Sequence, residues 1–322
     1  MRLRSGLRSA LAAIVLGLVG LVAPAAHADD AADSKVCVTC HDDEDLPDFT
    51  RSAHGFAGDR RAPQCTTCHG TSAAHAKKPQ GNKPEILFGR KTASPAGERN
   101  GVCLTCHDRD AKRMLWAGSP HQHADIGCNN CHKVHANRDK VLAKTTQTDV
   151  CLTCHKEQRA QMSRPSHHPV PEGKMSCSDC HNPHGSAGPK LARRDSVNDT
   201  CFTCHAEKRG PFVHQHDPVV ENCANCHNPH GSTVPAMLTA RAPLLCQQCH
   251  TPHAAGSVGV LAGQPGVNTL APGQVSPLVT SITGGKNAIN LWQGRSCLNC
   301  HTQVHGTNNP SVTNPTPNLL LR

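Results

Sequence analysis

At 322 residues the chain is long enough for two domains, yet only seven residues are aromatic (five Phe, two Trp, no Tyr) and 37% are hydrophobic, against roughly 45–50% in globular chains. So few large apolar side chains cannot build a sizeable core from protein alone, which excludes an enzyme with a purely apolar core. The formal charge is +9 and the chain holds 20 Cys and 24 His, so these two residue types must hold an interior filled by something other than side chains.

In chain order, the first element is a secretory signal peptide over residues 1–28. Arg2, Arg4 and Arg8 form its basic region, Leu11 to Val22 its apolar run, and Ala26-His27-Ala28 its cleavage pattern. A membrane anchor needs ~20 apolar residues, and this run ends earlier, before Pro24. Cleavage would start the mature chain near Asp29 and, by removing three arginines, lower the charge from +9 to +6. No later segment is apolar enough to span a bilayer, so a membrane role needs a partner. There is no Lys/Arg stripe with interleaved aromatics, and no nucleic-acid partner is expected of an exported chain.

Twenty cysteines in an exported protein would first suggest disulfides. Their spacing suggests otherwise, since each belongs to a Cys-x-x-Cys pair followed at once by His. The pairs are Cys37/Cys40, Cys65/Cys68, Cys103/Cys106, Cys128/Cys131, Cys151/Cys154, Cys177/Cys180, Cys201/Cys204, Cys223/Cys226, Cys246/Cys249 and Cys297/Cys300. C-x-x-C-H is the attachment signature of c-type haem: two thiols on one turn reach the two vinyl groups, and the adjacent His lies under the iron. The proximal ligands are then His41, His69, His107, His132, His155, His181, His205, His227, His250 and His301. Zinc sites and redox dithiols also use Cys-x-x-Cys, but neither requires His after every pair. Ten covalent haem c groups consume every cysteine, leaving none for a disulfide, a thiolate metal site or a nucleophile. Twenty propionates also give the basic surplus a purpose.

Of the other 14 histidines, His27 leaves with the signal peptide. Seven stand alone: His54, His75, His135, His184, His230, His253 and His305. Six form the close pairs His121/His123, His167/His168 and His214/His216. Seven singles and one from each pair make ten distal ligands for ten irons. Methionine is the rival axial ligand, but beyond Met1 the chain has only Met114, Met162, Met175 and Met237. Bis-histidine ligation throughout, at low potential and with no open iron, is therefore expected. His121 and His216 each stand seven residues before a second motif, which favours them over His123 and His214. His168, just before Pro169, is preferred to His167.

The motif starts are 28, 38, 25, 23, 26, 24, 22, 23 and 51 residues apart and group into five two-haem units, a repeat architecture. First motifs are expected to open short helices, with Asp149 before Cys151 and Asp199-Thr200 before Cys201 as caps. Second motifs are followed three residues later by His135, His184 or His230, and Pro183 and Pro229 stop their helices. A His so close to its proximal neighbour is expected to reach the iron of a neighbouring haem and so stitch units together. His54, His121 and His216 have enough chain to fold over the haem of their own second motif. Residues 254–296, without Cys or His and rich in Gly, Pro, Ser and Thr, read as a long loop.

With these motifs in view, residues Val36 to Arg322 resemble the MtrA/DmsE-type decahaem cytochromes of outer-membrane electron conduits. The likeness rests on the ten motifs in a chain of this length and on local runs. These runs are Ser176 to Gly185, Val197 to Cys201 with Ala206 to Pro211, Cys246 to His250, and Cys297 to His301 with Gln303 to Gly306. It implies mostly irregular coil with short α-helices, forming an elongated, haem-packed rod of two similar pentahaem halves, residues 29–165 and 166–322. It carries the family's distal ligands onto His54, His75, His121, His135, His168, His184, His216, His230, His253 and His305. It implies a place in the periplasm, held at the outer membrane inside a β-barrel porin, with periplasmic electron donors or acceptors at one end. An extracellular multihaem cytochrome is the candidate partner at the other.

The function expected is a wire, not an enzyme. Ten haems on 294 mature residues leave about 29 residues per haem, too little protein to insulate them from one another. A row of ten exceeds the ~30 Å hydrocarbon thickness of a bilayer, and its polar backbone could cross only when enclosed by a barrel. A soluble periplasmic shuttle shares every ligand and lacks only the barrel. A multihaem reductase would need a vacant iron position, whereas all ten motifs end in His and no Tyr is present.

Overall fold

Short helices gather around the motifs and coil joins them, and at several motifs the proximal histidine itself leaves helical geometry. The computed structural model describes residues 35–41, 46, 49–55, 59, 61–89, 91–250, 297–299 and 301–308. The signal peptide, His253, Cys300 and the 254–296 excursion lie outside the described residues. Ala96–His107 runs through the third motif, Lys144–Cys151 ends on the fifth, and Val197–Phe202 and Leu244–Gln247 carry the first cysteines of the seventh and ninth. Second motifs make single turns, Cys65–His69, Cys128–Cys131, Cys177–Cys180, Cys223–Asn225 and Cys297–Asn299.

The expectation that first motifs open helices is corrected for the fifth and seventh. Asp149 and Asp199 lie inside helices that arrive from upstream, with Ala143 and Ser196 as N-caps. Ser196 Oγ accepts the Asp199 N–H at 3.0 Å. The chain leaves helical geometry at the proximal His: His155 has φ −80°, ψ 69° and His205 φ −99°, ψ 49°. A new helix, Lys156–Met162, starts only afterwards. The Cys177–Cys180 turn has likewise ended before Pro183, with His181 extended at φ −117°, ψ 147°.

Among the described residues there are isolated bridges but no strand. His181 bridges to Ala192 and His227 to Leu238, each folding the chain back onto its own motif. The apolar interior is thin. Leu152, Met162 and Val170 cluster with Met175 beside them, and among the described residues no large side chain is fully buried. Met162 and Met175 therefore serve packing.

A buried asparagine holds the two motifs of a unit side by side. Asn198, three residues before Cys201, donates from Nδ2 to the Val219 and Val220 carbonyls at 2.8 and 2.9 Å. Its Oδ1 accepts the Cys223 N–H at 2.7 Å. Asn100, three before Cys103, repeats this with the Ile126 carbonyl at 3.1 Å and the Cys128 N–H at 2.8 Å. Between them, Gln147 Oε1 accepts the Ser178 N–H at 2.9 Å. Asn198→Ala would leave the Cys223 amide without this acceptor, and is expected to cost about 2 kcal/mol in chemical denaturation of the haem-loaded protein.

Candidate haem-ligand pairs

The fold brings histidine rings together in twos. Nine described proximal histidines each face one of the expected distal histidines, with ring centroids 6.0–6.3 Å apart. Two imidazoles that share one metal through Nε2, at about 2 Å each, place their centroids about 6 Å apart. Among the described residues no three His, Cys, Asp or Glu side chains converge as a metal cluster, so the donors come as axial twos. The described cysteines are free of disulfides. Residues so arranged fit c-type haem.

The pairing follows one rule. Each unit sends one histidine forward to the first motif of the next unit: His54 faces His107, His121 faces His155, His168 faces His205 and His216 faces His250. Each unit also sends one backward to the second motif of the previous unit: His135 faces His69, His184 faces His132, His230 faces His181 and His305 faces His227. Every junction between units is thus crossed twice. The first unit has no predecessor, and its His75 closes onto its own His41. His301 is described, but His253 lies outside the described residues.

The backward histidines meet the expectation of reaching into a neighbouring unit. The forward ones correct an expectation: His54, His121 and His216 do not fold over the second motif of their own unit. A carbonyl from the next unit turns three of the forward rings. His121 Nδ1 lies 2.8 Å from the Pro183 carbonyl, His168 Nδ1 2.8 Å from that of Pro229, and His216 Nδ1 2.9 Å from that of Val304. Pro183, Pro229 and Val304 immediately precede His184, His230 and His305, so the two crossings of a junction are tied to each other. A ring that donates through Nδ1 leaves Nε2 as the free electron pair, the tautomer an axial ligand needs.

Proximal rings of second motifs are oriented similarly. His181 Nδ1 meets the Lys190 carbonyl at 3.0 Å and His227 Nδ1 the Ala236 carbonyl at 2.8 Å. Lys190 and Ala236 have left-handed φ values of 55° and 56°, a cost for residues with a Cβ that aims these carbonyls. The glycines after the backward histidines answer a different need. Gly185 (φ 121°) and Gly231 (φ 141°) pass so close to the Leu115 and Gln161 carbonyls that a Cβ would lie 2.0 and 2.2 Å from them.

Burial also favours the ligating form. His184, His230 and His305 are partly buried, and desolvation pushes their pKa values below the ordinary imidazole range. They are therefore neutral at pH 7.

The three close pairs divide cleanly. His121, His168 and His216 take the ring positions. His167 instead places Nε2 3.1 Å from Glu172 Oε1 and Nδ1 against the Arg164 carbonyl. His214 exchanges backbone hydrogen bonds with Thr307 at 2.9 and 3.0 Å.

From Cys68 to Cys297 the described cysteines form a line of neighbours. Within units the first thiols interact directly: Cys103 with Cys128, Cys151 with Cys177, Cys201 with Cys223 and Cys246 with Cys297. Between units the second thiols are neighbours: Cys131 with Cys154, Cys180 with Cys204 and Cys226 with Cys249. Cys68 has Cys106 and Cys103 beside it.

Cys40, Cys106, Cys154, Cys204 and Cys249, the second cysteines of the first motifs, are exposed, whereas the other described cysteines are partly buried. In four units a threonine precedes the second cysteine of the first motif and bonds back along the helix. Thr39 Oγ1 donates to the Val36 carbonyl at 2.7 Å and lies 3.9 Å from Cys40 Sγ. Thr105, Thr153 and Thr203 repeat this beside Cys106, Cys154 and Cys204.

Sequence reading missed the asparagine clamps and the carbonyl and carboxylate partners of the rings. Asparagine three residues before Cys103 and again before Cys201 was the available signal.

A family model described as "Doubled CXXCH motif" matches residues 167–210 and 216–255, and one described as "Cytochrome c-type protein NrfB-like" matches residues 65–146. The chain is 44% identical to "Multiheme cytochrome MtrA" of Shewanella baltica over 290 residues, covering 88% of this chain and 81% of that one. It is 30% identical to "Cytochrome c-type protein NrfB" of Escherichia coli O6:H1 over 179 residues, 48% of this chain and 90% of that one. With the histidine pairs and cysteine line in place, this similarity across most of both chains makes the protein a member of the MtrA family of multihaem c-type electron-transfer cytochromes.

Proposed function

We propose that the chain carries ten haem c groups, each held by one motif and one histidine pair, and conducts electrons from end to end as a wire rather than acting as an enzyme. The supporting observation is the double crossing at every junction between units, which ties neighbouring sites together along the chain. His301 takes His253 as its partner in this reading, closing the last unit as His75 closes the first. When bound, each haem supplies a one-electron Fe(III)/Fe(II) couple. The cysteines fix the spacing, and the paired rings, turned by their Nδ1 partners, keep both axial positions occupied.

The wire works in the periplasm and crosses the outer membrane inside a β-barrel porin. It joins periplasmic donors or acceptors to external ones, with an extracellular multihaem cytochrome as a further partner. Among the described residues no helix is long and apolar enough to cross a membrane. A backbone this irregular can lie at bilayer depth only inside protein. Similarity to an MtrA cytochrome over most of the chain supports the same placement. The halves 29–165 and 166–322 would then run end to end, with the ring pair of His132 and His184 crossing between them.

Intact mass of the purified mature protein tests the stoichiometry. Ten covalent haems are expected, all low-spin and unreactive toward carbon monoxide. Nine or fewer, or one full high-spin equivalent in the native protein, would refute the closed-iron wire.

A further inference from the structure

Among the second-motif proximal rings whose Nδ1 partners are described, one differs from its repeats. The Nδ1 partners of His181 and His227 are backbone carbonyls nine residues downstream, and that of His69 is the Ile86 carbonyl at 3.1 Å. At the equivalent place in the second unit, His132 Nδ1 lies 2.6 Å from Asp139 Oδ2. The side chain of Asp139 is only 15% exposed. It is held from two other sides, with Oδ1 accepting the Lys133 N–H at 3.3 Å and the Val141 N–H at 3.4 Å. A short contact to a fixed, poorly solvated carboxyl group is a stronger interaction than one to a carbonyl.

We propose that Asp139 is a positioning residue that holds down the reduction potential of the centre bounded by His132 and His184. A carboxylate on Nδ1–H makes the imidazole a stronger donor through Nε2, as in carboxylate–histidine–metal triads. A stronger donor and a nearby negative charge both stabilise Fe(III) over Fe(II). Hydrogen bonding around the axial ligand is one of the levers by which protein sets a haem potential. The couple takes up one electron, drawn from the reductant of the titration, and the Nδ1 proton stays on His132. The inference rests on the reading that His132 and His184 share one iron.

The test is a mediated potentiometric titration of the full haem-loaded protein, following the low-spin ferric signals by electron paramagnetic resonance. Asp139→Asn keeps the acceptor for the Val141 N–H and removes the carboxylate. One haem equivalent should become easier to reduce, by about tenfold in its equilibrium constant or about 59 mV, with nine unchanged. Asp139→Glu restores a carboxyl group and should shift that haem less. Ten low-spin haems titrating identically in wild type and Asp139→Asn would overturn the role of Asp139 alone, as would equal shifts in both variants. A high-spin equivalent or a missing haem in the wild-type protein would instead overturn the ligation reading beneath it.

Discussion

Replacing His168 by alanine is expected to convert one low-spin haem into a high-spin one that binds carbon monoxide, whereas His167→Ala should leave the spectrum unchanged. The two histidines are adjacent in sequence, so general damage to the chain would affect both variants alike. Their surroundings differ: the His168 ring centroid lies 6.2 Å from that of His205, while His167 is engaged by Glu172 and the Arg164 carbonyl. Loss of an axial imidazole opens one coordination position on one iron, so the change should be a single haem equivalent. A double-variant cycle identifies which iron. With the seventh motif already removed by Cys201→Ser, Cys204→Ser and His205→Ala, adding His168→Ala should create no further high-spin haem. His121 against His123, with His155, and His216 against His214, with His250, should divide the same way. Spin quantitation and the carbon monoxide difference spectrum read all of these outcomes. A high-spin haem from His167→Ala, and none from His168→Ala, would exchange their roles.

How much of this was legible in the sequence depends on the range of the interaction concerned. The anchoring chemistry is local: Cys-x-x-Cys-His occupies five consecutive residues, so the motifs could be read directly. Interval and Pro169 pointed to His121, His168 and His216, the residues whose rings face proximal histidines, although the interval implied the wrong partner. The chain's prevailing coil follows from the scarcity of large apolar residues, which leaves short helices little to pack against. Partnership between histidines was not readable, because His121 is turned by a carbonyl 62 residues away and His216 by one 88 residues away. Counting residues to the nearest motif favoured closure within a unit, and that is where the reading of His54, His121 and His216 failed. The caps at Asp149 and Asp199 failed for a local reason. Both residues suit an N-cap, but the helix starts earlier and breaks at the proximal histidine, where the ring has to turn out of the helical path. Asp139 carried no sequence signal, because its significance appears only beside the carbonyls that serve His181 and His227.

Exchange of histidines between units bears on the proposed conduit role as well. On the proposed ligation, a unit joined to each neighbour by two histidines could not be displaced without opening two irons on that side, so a continuous path would not depend on a large apolar core. Such a chain still exposes polar coil, which lipid does not tolerate. The expected result is therefore that electrons cross a bilayer only when this protein and an outer-membrane β-barrel are reconstituted together. The assay is a proteoliposome enclosing a redox dye, with a membrane-impermeant reductant outside. Dye reduction should be fast with both components and at background with either one alone. The His168→Ala variant, inserted to the same level, tests the path itself, since the altered iron lies within the row and every electron must pass it. Dye reduction by this protein without the barrel would contradict the need for a sheath. No reduction with the barrel present, despite ten low-spin haems by mass and resonance, would leave a soluble periplasmic shuttle as the better account of the same ligand set.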